Sequence, residues 1–152
     1  RRITNVYSYL SKLGTLINKL FVIAVKDTSG YMFDTKMYEL FQKLSLKADL
    51  RNLVWQGYIA INSDDEVYET LGKKDQPLFY QDICGSIPIK VLSNPLHAGN
   101  SAEIWIDNYN YSVNLRGLNI VLYDKESMQI VDSVCFDTHI KELSCTRKIL
   151  TC

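Results

Sequence analysis

Leu20-Phe21-Val22-Ile23-Ala24-Val25 is an unbroken apolar run, rich in branched side chains and of strand length. Such a run reads as a β-strand covered on both faces. Before it, Val6, Tyr9, Leu10, Leu13, Leu16, Ile17 and Leu20 recur at helical spacing. That pattern predicts an amphipathic helix over residues 5–20, weakened by Gly14. After the run, Lys26-Asp27-Thr28-Ser29-Gly30 consists of turn formers and predicts a loop at the strand's C-terminal edge. A second helix is expected from Asp34 or Thr35, either of which suits an N-cap, with Met37, Leu40, Phe41 and Leu44 as its apolar stripe. Leu53–Ile61 reads as a further strand, closed by the polar turn at residues 62–66. The order helix, buried strand, helix, strand suits an α/β layer packed on a sheet.

Farther out the character changes. Residues 63–76 are polar and read as an exposed connection with a helical turn at Val67–Leu71. Beyond Pro77, short strands are expected at Leu78–Cys84, Ile87–Leu92, Ala102–Asp107, Leu118–Asp124 and Gln129–Phe136. Pro88 makes the second of these an edge strand or a strand end. Ser93–Asn100 is a loop by composition, and Lys125-Glu126-Ser127-Met128 is a hairpin-sized gap. Phe33-Asp34-Thr35 and Phe136-Asp137-Thr138 echo each other, and both suit helix starts capped by Asp or Thr. The expected class is α/β (α+β): β-sandwich-like sheets with two to three flanking helices, as a single domain over residues 1–152.

Composition excludes more than it names. Lys plus Arg and Asp plus Glu both number 17, so the formal net charge is zero. That argues against a nucleic-acid binder and against a polybasic membrane-surface module. No apolar run reaches membrane-spanning length, so no membrane insertion is expected. No signal peptide is visible, and the absence of a starting Met is compatible with a fragment of a longer protein. The chain has four cysteines (Cys84, Cys135, Cys145 and Cys152) and two histidines (His97 and His139). None of these falls at paired zinc spacings, and the cysteines read as buried or free thiols. Phosphate-binding, nucleophile-elbow and dinucleotide motifs are missing, so neither catalysis nor a cofactor is expected. Cys135 near His139 reads as structural rather than nucleophilic. Asp64-Asp65-Glu66 reads as a solvated turn, since it lacks the spaced oxygens of a calcium loop. Tyr109, Tyr111 and Tyr123 offer aromatic faces suited to sugar rings or to an ordinary core.

The stretch Leu115-Arg-Gly-Leu-Asn-Ile-Val-Leu-Tyr-Asp-Lys-Glu-Ser-Met-Gln-Ile-Val-Asp-Ser-Val-Cys-Phe-Asp-Thr138 resembles the GG domain. That family is also called the interleukin-like epithelial–mesenchymal-transition inducer (ILEI) domain. Its pattern is an Arg-Gly-apolar-Asn strand, a turn, a second strand and Phe-Asp-Thr. A helix, a buried strand ending in Lys-Asp, a second helix and a closing strand follow. The later pieces are similar to Val6–Leu20, Phe21-Val-Ile-Ala-Val-Lys-Asp27, Tyr38–Leu44 and Val54–Ile61, which here come earlier. The resemblance therefore implies a circularly permuted domain or a cut from a tandem array, with the tail Ile140–Cys152 starting a further helix. Met128 replaces the family's hairpin Gly, and its second Arg has only Trp55 and Gln56 nearby.

Members include secreted cytokine-like proteins and the stem domain of protein O-mannose N-acetylglucosaminyltransferase, which binds a glycan end. The resemblance implies a non-catalytic carbohydrate-binding domain with a glycan or small sugar as partner. It also implies a possible partner domain in the same polypeptide and an extracellular, cell-surface or secretory-lumen setting. The implied ligand residues are Asp27 as acceptor, Arg116 as donor, and Trp55 or Gln56 beside them. The alternative for Asp27 and Arg116 is a structural ion pair, and the alternative for the whole is a cytokine-like protein–protein module.

Overall fold

The computed structural model describes residues 2–30, 32–64, 66–140 and 144–149. Helix α1 spans Val6–Leu13: the Asn5 side chain accepts from the Ser8 amide, and Val6, Tyr9, Leu10 and Leu13 form the buried stripe. It ends at Gly14, well short of residue 20. The apolar spacing runs on, but the Thr15 and Leu16 amides fold back onto Lys12 and Leu13. Ile17 is then exposed, and Asn18 turns the chain at a left-handed φ of 53°. Strand β1 follows at Lys19–Lys26, and its six interior residues are buried. Helix α2 spans Thr35–Lys43, with Asp34 as the cap, accepting from the Met37 amide.

The remaining strands are β2 (Gln56–Asn62), β3 (Val67–Lys74), β4 (Leu78–Cys84), β5 (Ile87–Asn94), β6 (Ser101–Ile106), β7 (Tyr109–Asn110), β8 (Gly117–Asp124), β9 (Gln129–Phe136) and β10 (Cys145–Arg147). They form a six-stranded sheet ordered β10-β9-β8-β1-β2-β3 and a four-stranded sheet ordered β4-β5-β6-β7, both antiparallel. The class is α+β, with two helices and two open sheets among the described residues, in a sandwich-like arrangement.

β1 is the hinge of this architecture. Phe21, Ile23 and Val25 pack under the helices, while Leu20, Val22 and Ala24 pack against the small sheet. Strand alternation sends successive side chains to opposite faces, so a strand between two layers has no polar position left. β1 lies between β8 and β2, so the early and late parts of the chain share one sheet.

Several expectations meet the structure here. Residues 67–74 are a strand, not an exposed turn of helix: β3 pairs with β2 at the sheet's edge, where water covers much of it and alternation fades. Of the two placements expected for Pro88, the strand end holds: it is the second residue of β5, where a missing N–H costs little, and β5 itself is interior, between β4 and β6. The tail supplies strand β10 on β9 rather than a helix, as far as it is described; residues 141–143 and 150–152, Cys152 among them, lie outside the described residues. Likewise no helix begins at Phe136-Asp137-Thr138 among the described residues, where the Thr138 hydroxyl donates to the Ser29 carbonyl. Of the acidic turn, Asp65 lies outside the description. No described helix is long and apolar enough to cross a membrane.

One buried hydroxyl joins the sheets. Ser93 Oγ, on β5, accepts from the Tyr58 amide at 2.8 Å and donates to the Val25 carbonyl at 2.6 Å. Gly57 makes this approach possible, since a Cβ there would stand 2.4 Å from the Ser93 carbonyl oxygen. Ser93→Ala would strand a buried N–H and a buried C=O, and is expected to cost roughly 2–4 kcal/mol. Urea unfolding of the variant checks this; a midpoint equal to wild type would contradict the role given to Ser93.

Candidate functional site

The Arg116-Gly117-Leu118-Asn119 stretch builds one wall of a cleft, and each residue type has a physical task. Asn119 is fully buried. Its Oδ1 accepts from the Asn114 and Leu115 amides at 2.9 and 3.2 Å, and its Nδ2 donates to the Leu115 carbonyl at 2.8 Å. Gly117 has a φ of 107°, and a Cβ there would lie 2.2 Å from the Phe136 carbonyl oxygen. Only glycine fits both constraints. The backbone leading into Arg116 is thereby fixed, and Cys135 Sγ adds contacts to the Leu115 and Arg116 carbonyls at 3.4 and 3.3 Å.

The Arg116 guanidinium is held by Asp137: Nη2 lies 2.9 Å from Oδ2, and Nε is shared between both carboxylate oxygens at 3.2 Å. This pairing raises the guanidinium pKa and keeps it charged. Asp137 also caps the following turn by accepting from the His139 amide at 3.0 Å. The ion pair weighed for Arg116 and Asp27 is thus made with Asp137 instead.

Asp27 lies across the same cleft, at the end of β1. Its backbone has a left-handed φ of 67° and is clasped by Pro95 and the Asn94 carbonyl of the small sheet. Its carboxylate is half-buried and makes no hydrogen bond or ion pair among the described residues. The preceding Lys26 is anchored, its Nζ donating to the Asn114 carbonyl at 2.9 Å. The cleft encloses about 310 Å³, and Asn100, Ser144 and Thr146 add polar groups from loops and β10. Two cations, Lys26 and Arg116, face two carboxylates, Asp27 and Asp137, so the lining is charge-balanced.

Trp55 and Gln56 do not line this cleft. Gln56 Nε2 donates to the Gly72 carbonyl at 2.9 Å, stitching β2 to β3. Trp55 stands against His97, with ring centres 4.8 Å apart, and under Lys74 Nζ at 5.1 Å. His97 belongs to the Pro95–Asn100 loop whose last residue, Asn100, lines the cleft. Trp55 also has a left-handed φ of 60°, a costly conformation for a bulky side chain. Sequence reading missed Asp137 as the partner of Arg116, although Phe136-Asp137-Thr138 stood out as a motif. Asn100, Ser144 and Thr146 carry no local signal.

Among the described residues, no group of three or more His, Cys, Asp or Glu side chains could hold a metal ion. Burial pushes the Cys135 thiol up to about 12, with a further push from Asp137. At pH 8 its thiolate fraction is negligible, and reactivity is expected only in strong alkali or on unfolding. Peptide mapping after iodoacetamide treatment should find half-exposed Cys84 alkylated and Cys135 protected until urea is added; fast labelling of Cys135 in the folded protein would contradict this. The chain has no match among known protein families, curated proteins or solved structures, and the chemistry of the cleft is read from its own residues.

Proposed function

We propose that the chain is a non-catalytic carbohydrate-binding module of the GG/ILEI type, appended to a glycan-processing or surface protein. One observation carries the reading: Asp27 and Arg116 share a cleft with no hydrogen bond or ion pair between them. Arg116 is oriented by Asp137, which leaves Asp27 as a half-buried acceptor with no described partner. A charge-balanced cleft that presents a fixed donor, an open acceptor and several amide or hydroxyl groups suits an uncharged polyhydroxyl ligand better than an ion. Desolvating many hydroxyls offsets much of the gain, so affinity is modest.

Two further facts support the family reading. Every residue of the Arg-Gly-apolar-Asn stretch has a task at the cleft or in the core beneath it. Arg147 Nη2 donates to the Ile3 carbonyl at 2.7 Å, the proximity that a permuted chain order requires.

A second reading, a protein–protein module, draws on Phe79 and Ile83, 55% and 63% exposed on edge strand β4. A glycan array followed by NMR titration separates the two. Neutral glycans, amino sugars with acetylated nitrogen included, should shift signals at the cleft. Asp27→Asn and Arg116→Ala, confirmed as folded, should each weaken binding by about tenfold or more. Absence of any glycan binding, or full binding by both folded variants, would sink the proposal.

A further inference from the structure

The sandwich has a second opening, at the end of β8 opposite Arg116. There Tyr123 closes β8, Ile130 begins the return on β9, and Ile87, Pro88 and Ile106 face them from the small sheet. The cleft between the sheets encloses about 410 Å³, within the range of small-molecule sites. It shares no lining residue with the Asp27–Arg116 cleft.

Its chemistry differs from that of the first cleft. Two tyrosines line it: Tyr123, 7% exposed, from the large sheet, and Tyr111, whose ring rests on Tyr109 at 4.7 Å. Neither hydroxyl donates to or accepts from a described residue. Asp107 is the only charged side chain of the lining, and its carboxylate has no hydrogen bond or ion pair among the described residues. Lys148, over Tyr109 at 5.3 Å, is held elsewhere by the Asn110 and Ser112 carbonyls. Burial and the charge of Asp107 raise the Tyr123 phenol pKa, so the tyrosine stays neutral.

Met128 adds an independent mark. It occupies the last position of the β8–β9 turn with a left-handed φ of 59°, where glycine is the residue of least strain. Its side chain is 65% exposed and lines the same opening. The turn thus tolerates a strained backbone and places a polarisable thioether at the mouth.

We propose that this opening binds an organic ammonium ion, its apolar substituents against Tyr111, Tyr123 and Met128 and its charge opposite Asp107. Aromatic faces attract a desolvated cation through their quadrupole, and quaternary nitrogens suit such surroundings because they demand no hydrogen bonds. The same group occurs in free choline-like molecules and in the trimethylated lysine of a peptide.

The test is carbon–proton NMR of the Met128 methyl and the tyrosine rings in the intact chain. The probes are choline, a short trimethyl-lysine peptide, and the alcohol in which a tert-butyl group replaces the trimethylammonium of choline. The cations should bind on the order of tenfold more tightly than the uncharged alcohol. Asp107→Asn should remove that preference while leaving the alcohol's binding unchanged, and Asp27→Asn should change neither. Tighter binding of the peptide than of choline would assign the group to a protein partner, and the reverse to a free molecule; both support the proposal. Equal binding of cation and alcohol, a preference that survives Asp107→Asn, or no shift at Met128 and the tyrosines with any probe would overturn it.

Discussion

The Ser93 hydroxyl is the point on which the molecule turns. Two sheets stacked face to face normally meet through side chains alone, about 10 Å apart. Here β5 comes close enough for one side-chain oxygen to satisfy a backbone donor on β2 and a backbone acceptor on β1. The donor is free because β2 has a register shift between Gln56 and Tyr58, which takes the Tyr58 amide out of simple ladder pairing. An irregularity that would be a buried defect in isolation becomes the crossing point of three strands.

The crossing also fixes where a ligand is met. Val25 is two residues before Asp27, and Ser93 is two residues before Pro95, which opens the loop that bounds the cleft. The Asp27 backbone is held between these elements in a left-handed conformation that Asp tolerates better than most residues. On the other wall, Asn119 and Gly117 act in the same way on Arg116. The recognition groups sit at chain ends and turns, and the rigidity comes from buried amide and hydroxyl groups one or two residues away.

What the sequence discloses follows from how local each cause is. The β1 run is apolar because both its faces are covered, and the Asp34 cap and the β8–β9 hairpin are set by neighbours in the chain. All three are legible, the cap to within Asp34 or Thr35. β3 is not: an edge strand wetted on its outer face loses the alternation that marks a strand, and six of its eight residues take their register from β2 rather than from any pattern of their own. Helix α1 was overextended because the spacing of Leu16, Ile17 and Leu20 mimics a helical stripe, whereas Gly14 and Asn18 set the true end. At the cleft, Asp27 and Arg116 came from a family-like pattern. Asp137 was visible as a motif but assigned to a helix cap, because only the folded chain brings it to the guanidinium. Trp55 and Gln56 are implied only by their nearness to the family's second Arg, and the turn at Trp55 carries its ring against His97 of the Pro95–Asn100 loop.

The clasp between Arg147 and the Ile3 carbonyl, with Asp132 gripping the same guanidinium, has a mechanical meaning. Tension applied through these neighbouring points would strain the clasp itself and then the three-residue ladder of β10 on β9. The eight-pair ladder of β1 on β8 lies deeper and would be spared until that edge had peeled away. The ligand-facing groups of the cleft straddle this boundary: Asp27 and Arg116 sit on the sheltered side, while Thr146 sits on the strand that peels. Stretching would therefore open the cleft along one seam before the sandwich itself gave way.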